Sequence, residues 1–108
     1  MPTAYKTLGQ QAPTATTPTT LYTVPALTSS VCSTLIICNM GVSTTFRVSV
    51  RPAGAVQENK HYLFYEIPVS QYDSVPLTLG ITLAATDVVT VYAGTATVAF
   101  SLFGSELT

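Results

Sequence analysis

The residues able to do chemistry are few and scattered. His61 is the single histidine, and Glu58 stands three residues before it. The two could ligate a metal together, but no third donor stands close by, and zinc sites use at least three protein ligands. The pattern reads better as a strand opening at the surface. The acids Glu58, Glu66, Asp73, Asp87 and Glu106 show no spacing that sets two carboxylates on one strand face. General acid–base work needs a matched pair or a histidine partner in hydrogen-bond reach. Hydroxyls abound, yet there is no Gly-x-Ser-x-Gly elbow, no Walker loop and no Gly-x-Gly-x-x-Gly turn. No catalytic, cofactor-binding or metal-binding residue is assigned, and an enzyme is not expected.

Cys32 and Cys38 lie six residues apart in one apolar run. In a regular strand that even spacing puts both on one face, on the order of 20 Å apart. A disulfide needs Cα atoms within about 7 Å. The pair is expected to be reduced, small and buried, with a bond to a neighbouring subunit as the alternative. Arg47, Ser49 and Arg51 form the most polar strand face. Two guanidiniums at that spacing can grip a partner's carboxylates, so Arg47 and Arg51 are candidate partner contacts, against a plain solvated face. Glu66 shares its expected face with Tyr62 and Phe64, either at a wet edge or paired within an interface.

Positioning these groups falls to strands. Phe46, Val48 and Val50 alternate with Arg47, Ser49 and Arg51, and period two means one buried face and one exposed face. Leu77, Leu79, Ile81 and Leu83 repeat the pattern, as do Ala96, Val98, Phe100 and Leu102. Val31 to Asn39 is nearly continuous apolar, like a strand covered on both faces. His61 to Val69 and Val88 to Tyr92 are further strands. Gly, Pro, Asn and Asp punctuate the gaps. No segment shows a helical period with caps. The expected fold is an all-β, small antiparallel sandwich, jelly-roll-like, over residues 26–108.

Residues 1–25 read differently. Pro2, Pro13, Pro18 and Pro25 interrupt a Thr-rich stretch, and proline both lacks a ladder N–H and stiffens the chain. The expectation is an extended N-terminal arm with a short strand at Leu21-Tyr22-Thr23-Val24. Leu21 and Tyr22 are then candidate contacts with a neighbour.

The totals say what such a domain is for. Charged residues make up 8% of the 108 and apolar residues 47%, where about 25% charged is ordinary. So lightly charged a surface is easily dehydrated in a contact. The alternative is a neutral monomer that uses Thr to favour strands. Four basic residues are too few for an electrostatic footprint on nucleic acid. No apolar run approaches the roughly 18 residues of a membrane helix, and no secretory leader is visible. Neither nucleic acid nor membrane is an expected partner.

Several segments carry a resemblance. They are Tyr5-Lys6-Thr7-Leu8-Gly9-Gln10, Leu21-Tyr22-Thr23-Val24-Pro25-Ala26, Phe46 to Gly54, Lys60-His61-Tyr62-Leu63-Phe64-Tyr65, Val91-Tyr92-Ala93-Gly94 and Phe100 to Glu106. Together they resemble small virion structural proteins of tailed bacteriophages and cyanophages, over nearly the whole chain. The resemblance implies a small sandwich used as an assembly part, made in the host cytoplasm and ending in the virion. Capsid cement or decoration is the first role it implies, with the major capsid protein or other virion proteins as partners and a dimeric or trimeric homo-oligomer as the unit. Neck, collar or tail accessory is the second. A host-glycan-binding sandwich, with Tyr62, Tyr65, Tyr72 and Tyr92 as stacking surfaces, is the third. No family site residue carries over.

Overall fold

The computed structural model describes residues 3–108. Eight strands follow in order: β1 (Thr3–Gln11), β2 (Thr19–Thr23), β3 (Ser29–Asn39), β4 (Thr44–Arg51), β5 (Tyr62–Val69), β6 (Ser74–Leu83), β7 (Val88–Ala93) and β8 (Val98–Leu107). Short 3₁₀ turns at Pro52–Gly54 and Asn59–His61 lie between β4 and β5. The strands form two four-stranded sheets, β1-β8-β3-β6 and β2-β7-β4-β5. All ladders are antiparallel. The pairs β1·β8, β2·β7, β3·β6 and β4·β5 nest inside one another, as in one long hairpin ribbon. Ladders β3·β8 and β4·β7 roll that ribbon into two layers. This is the order of an eight-stranded jelly roll, so the sandwich expected from the sequence is the fold found.

Period-two alternation builds the core. Phe46 and Val48 of β4, Val91 and Ala93 of β7, and Val98, Phe100 and Leu102 of β8 are all but fully buried. The rings of Phe46 and Phe100, one from each sheet, meet edge-to-face with centroids 6.1 Å apart. At one end Asn39 replaces apolar packing with hydrogen bonds. Its buried amide donates to the Val42 carbonyl at 2.8 Å and the Ser70 carbonyl at 3.2 Å. Its oxygen accepts from the Gly41 N–H and the Thr97 hydroxyl. A buried amide is tolerated because its groups are satisfied.

The N-terminal stretch does not form the free arm expected for residues 1–25. Thr3 to Gln11 pair along β8, and Thr19 to Thr23 pair along β7. Leu21, Tyr22 and Val24 are core residues. The prolines misled because of where they fall. Pro13 and Pro18 lie in the connection between β1 and β2, and Pro25 follows β2, so none removes a ladder donor. Thr suits an edge strand. Gly9 lets the layers meet: a Cβ there would stand 2.1 Å from the Leu21 carbonyl oxygen. Met1 and Pro2 lie outside the described residues.

Two bulges shift the faces that simple alternation predicts. The β3 register breaks between Cys32 and Thr34 against both neighbours. One unmatched residue flips everything beyond it. Cys32 thus faces the core at 0% exposure, while Cys38 faces outward and is half-buried. Their expected common face is corrected. In β5 the register jumps across Tyr65 and Glu66, and Glu66 takes a positive φ of 53°. Glu66 therefore leaves the face it was expected to share with Phe64, which packs on the core.

Candidate interaction face

The outer face of the β1-β8-β3-β6 sheet follows from the registers. Leu35, Ile37, Phe100 and Leu102 point inward, so their alternates point out. One row across the sheet reads Tyr5, Ser105, Val31 and Thr82; the next reads Thr7, Phe103, Thr34 and Thr78. A third reads Gln10, Ser101, Ile36 and Pro76. None of these side chains is ionised. Tyr5 is 86% exposed, Val31 41% and Ile36 37%. The apolar run of β3, expected to be covered twice, is covered once and open on this side. A shallow groove of about 650 Å³ crosses it, lined by Tyr5, Thr7, Val31, Ser33, Phe103 and Ser105 together with Gly104 and one charged residue, Lys6. Four strands about 4.8 Å apart and about nine residues long give the face a projected area of roughly 570 Å². That is somewhat less than the roughly 800 Å² that one side of a standard interface buries.

The other sheet covers part of its outer face with its own side chains and the chain between β4 and β5, although Tyr65 stays exposed. Arg47 projects between two rings, its guanidinium carbon 4.5 Å from the Tyr65 centroid and 4.2 Å from that of Tyr92. Its Nε pairs with Glu66, which also accepts from the Thr45 hydroxyl at 2.7 Å. The Thr45 hydrogen bond first, then the Arg47 one, holds the Glu66 carboxyl below the usual carboxylate range. The chain between β4 and β5 folds back over another part. Ser49 Oγ donates to Gln57 at 2.7 Å, and Arg51 donates to Thr90 Oγ1 and to the Ala55 carbonyl. Ser49 and Thr90 are buried as a result, although they point away from the core. Arg47 and Arg51, predicted to face a partner, thus spend their guanidiniums inside the chain.

Leu21 and Tyr22, the other two predicted contacts, are buried at 5% and 7% exposure. Within this chain they are core residues rather than a contact surface. Tyr22 donates to Glu106 Oε2 at 2.5 Å and lies 2.6 Å from Ser30 Oγ. Lys6 Nζ donates to Glu106 Oε1 at 2.8 Å. One carboxylate thereby ties β1, β2, β3 and β8 together across both layers. The Lys6 and Tyr22 hydrogen bonds hold the Glu106 carboxyl below its ordinary range. Burial, reinforced by Glu106, pushes the Tyr22 phenol well above its usual value.

His61 is buried, not at the surface as expected, and its Nδ1 accepts the Glu58 N–H at 3.0 Å. It serves to close the turn before β5. Among the described residues no three of His, Cys, Asp and Glu converge on a point. Burial pushes the Cys32 thiol up to about 11, away from the thiolate a nucleophile needs. No helix among those residues is long and apolar enough to cross a membrane. Comparison with protein-family models finds no match, and comparison with curated proteins finds none either.

The open outer face was missed in the sequence because it joins Tyr5 of β1, Val31 and Ile36 of β3 and Phe103 of β8, strands that lie far apart in the chain. The only signal was the run from Val31 to Asn39, apolar on both alternates.

Proposed function

We propose that this chain is a non-enzymatic structural subunit that buries the outer face of its β1-β8-β3-β6 sheet against other proteins. The observation that carries this reading is the contrast between the two outer faces. One carries the Arg47–Glu66 ion pair, the rings of Tyr65 and Tyr92 and the overlying β4–β5 connection; the other presents outward rows with no ionised side chain, Lys6 alone reaching the groove between them. Dehydrating Ser, Thr, Val, Ile and Phe costs far less than dehydrating ions, and the apolar part gains about 25 cal/mol per Å².

The assembly proposed is a tailed-phage virion, with the chain as a capsid cement or decoration protein seated on the major capsid protein. Support comes from the sequence resemblance and from the jelly roll, an architecture shared by viral capsid and lectin domains. The fold alone does not choose among these. The test is mass-spectrometric quantification in purified particles, with an Ile36→Asp variant alongside. A cement protein occurs in copy number comparable with the major capsid protein, and Ile36→Asp abolishes its retention. A copy number fitting a single ring places the chain at the neck, collar or tail instead.

A second reading has its own observation. Tyr65, 54% exposed, and Tyr62 meet edge-to-face at 5.0 Å and with Asn59 line a hollow of about 350 Å³. Such a platform suits stacking on a sugar ring, and selective binding in a glycan screen, lost in Tyr65→Ala, would favour host attachment.

A further inference from the structure

We propose that two copies of this chain join through β1, Thr3–Thr7 of one lying antiparallel to Thr3–Thr7 of the other, with a two-fold axis at Tyr5. The inference deepens the assembly reading and rests on it.

The two sheets present four free edges, β1 and β6 on one and β2 and β5 on the other. Proteins blunt free edges with proline, bulges, short strands or charge, since an open edge templates pairing. Three of these edges are blunted. β6 carries Pro76 and a register break at Gly80, whose φ is +64°. β5 carries Pro68 and two register breaks. β2 has five residues and one break. β1 has nine residues, no proline and one break, at Leu8. That leaves Thr3–Thr7 regular and exposed.

Charge favours a second copy as the occupant. Lys6 is the one charged side chain in β1, and its ammonium is engaged by Glu106. With Tyr5 on the axis, Lys6 lies opposite Ala4 of the other copy, so the two ammoniums do not face each other. Thr3 lies opposite Thr7, and Tyr5 opposite Tyr5; Thr–Thr and aromatic pairs are both favourable across strands.

Area gives the pairing a purpose. The two-fold of an antiparallel ladder stands perpendicular to the sheet, so both open faces end on the same side. The combined eight-stranded sheet offers a projected area of roughly 1,100 Å². A single copy falls short of one side of a standard interface, and the pair exceeds it.

The test is oxidative cross-linking of full-length Tyr5→Cys in a Cys38→Ser background, with Thr7→Cys in the same background as comparison. Residue 5 faces its own copy across the axis, within disulfide reach. Residue 7 lies about 13 Å from its counterpart, four residues along. The expected result is a mass doubling from 11.4 kDa for Tyr5→Cys and none for Thr7→Cys. Equal cross-linking of both, or none of either, overturns the pairing. Retention of the wild-type chain on particles, measured separately, decides the assembly reading, so the two fail in different experiments.

Discussion

Replacing Tyr22 with Phe removes one oxygen and leaves the ring in place, which isolates the polar lock at the sandwich end. The lost hydroxyl donates to Glu106 and contacts Ser30. A hydrogen bond to an ionised group contributes about 1.5–3 kcal/mol. The Lys6–Glu106 pair stays, but Lys6 is half exposed, so solvent screening keeps its compensation small. The expected cost near pH 7 is about 2 kcal/mol, a fall in Tm on the order of 10 °C for a domain this size. The pH dependence carries a sign at each end. Glu106 has a depressed folded pKa, so its stabilisation is present above the ordinary carboxylate value and is lost as pH falls through the folded one. Tyr22 has a raised folded pKa, so its stabilisation is complete below about 10 and is lost as pH rises further. The gap between wild type and Tyr22→Phe should form a plateau at neutral pH and narrow at both extremes. Thermal unfolding followed by circular dichroism from pH 3 to 11 measures it. Equal Tm at neutral pH, with altered association instead, would refute the internal lock and return Tyr22 to the contact surface predicted for it.

Two further predictions concern the corrected readings. A maleimide reagent at neutral pH should modify Cys38 and spare Cys32 in the folded chain, with intact-mass spectrometry showing a single adduct; two rapid adducts would contradict the β3 bulge. Deleting Thr3–Gln11 should lower Tm by more than Tyr22→Phe does, because Lys6 and Leu8 are lost and β8 becomes an open edge; an unchanged Tm would restore the arm.

What the sequence made legible was whatever depends on local alternation. Phe46 and Val48, and Val98, Phe100 and Leu102, declare their strands and inward faces without any knowledge of partners. What it hid depends on breaks in alternation or on distant pairing. The break at Ser33 reverses Cys38, and the one at Glu66 hands that carboxylate to Arg47. Thr-rich β1 has too little apolar content to announce itself; it is a strand because β8 offers an edge and Glu106 accepts Lys6. The open face joins Tyr5 to Ser105 and Ile36 to Ser101 across the chain's full length, and nothing local marks such neighbours.

The open face is most directly tested by hydroxyl-radical footprinting of the chain free and in purified particles. Burial of this face predicts strong protection of Tyr5, Ile36 and Phe103 in the particle, with Tyr65 labelled alike in both states. Equal labelling of Ile36 and Phe103 in the two states, or protection centred on Tyr65, would contradict it.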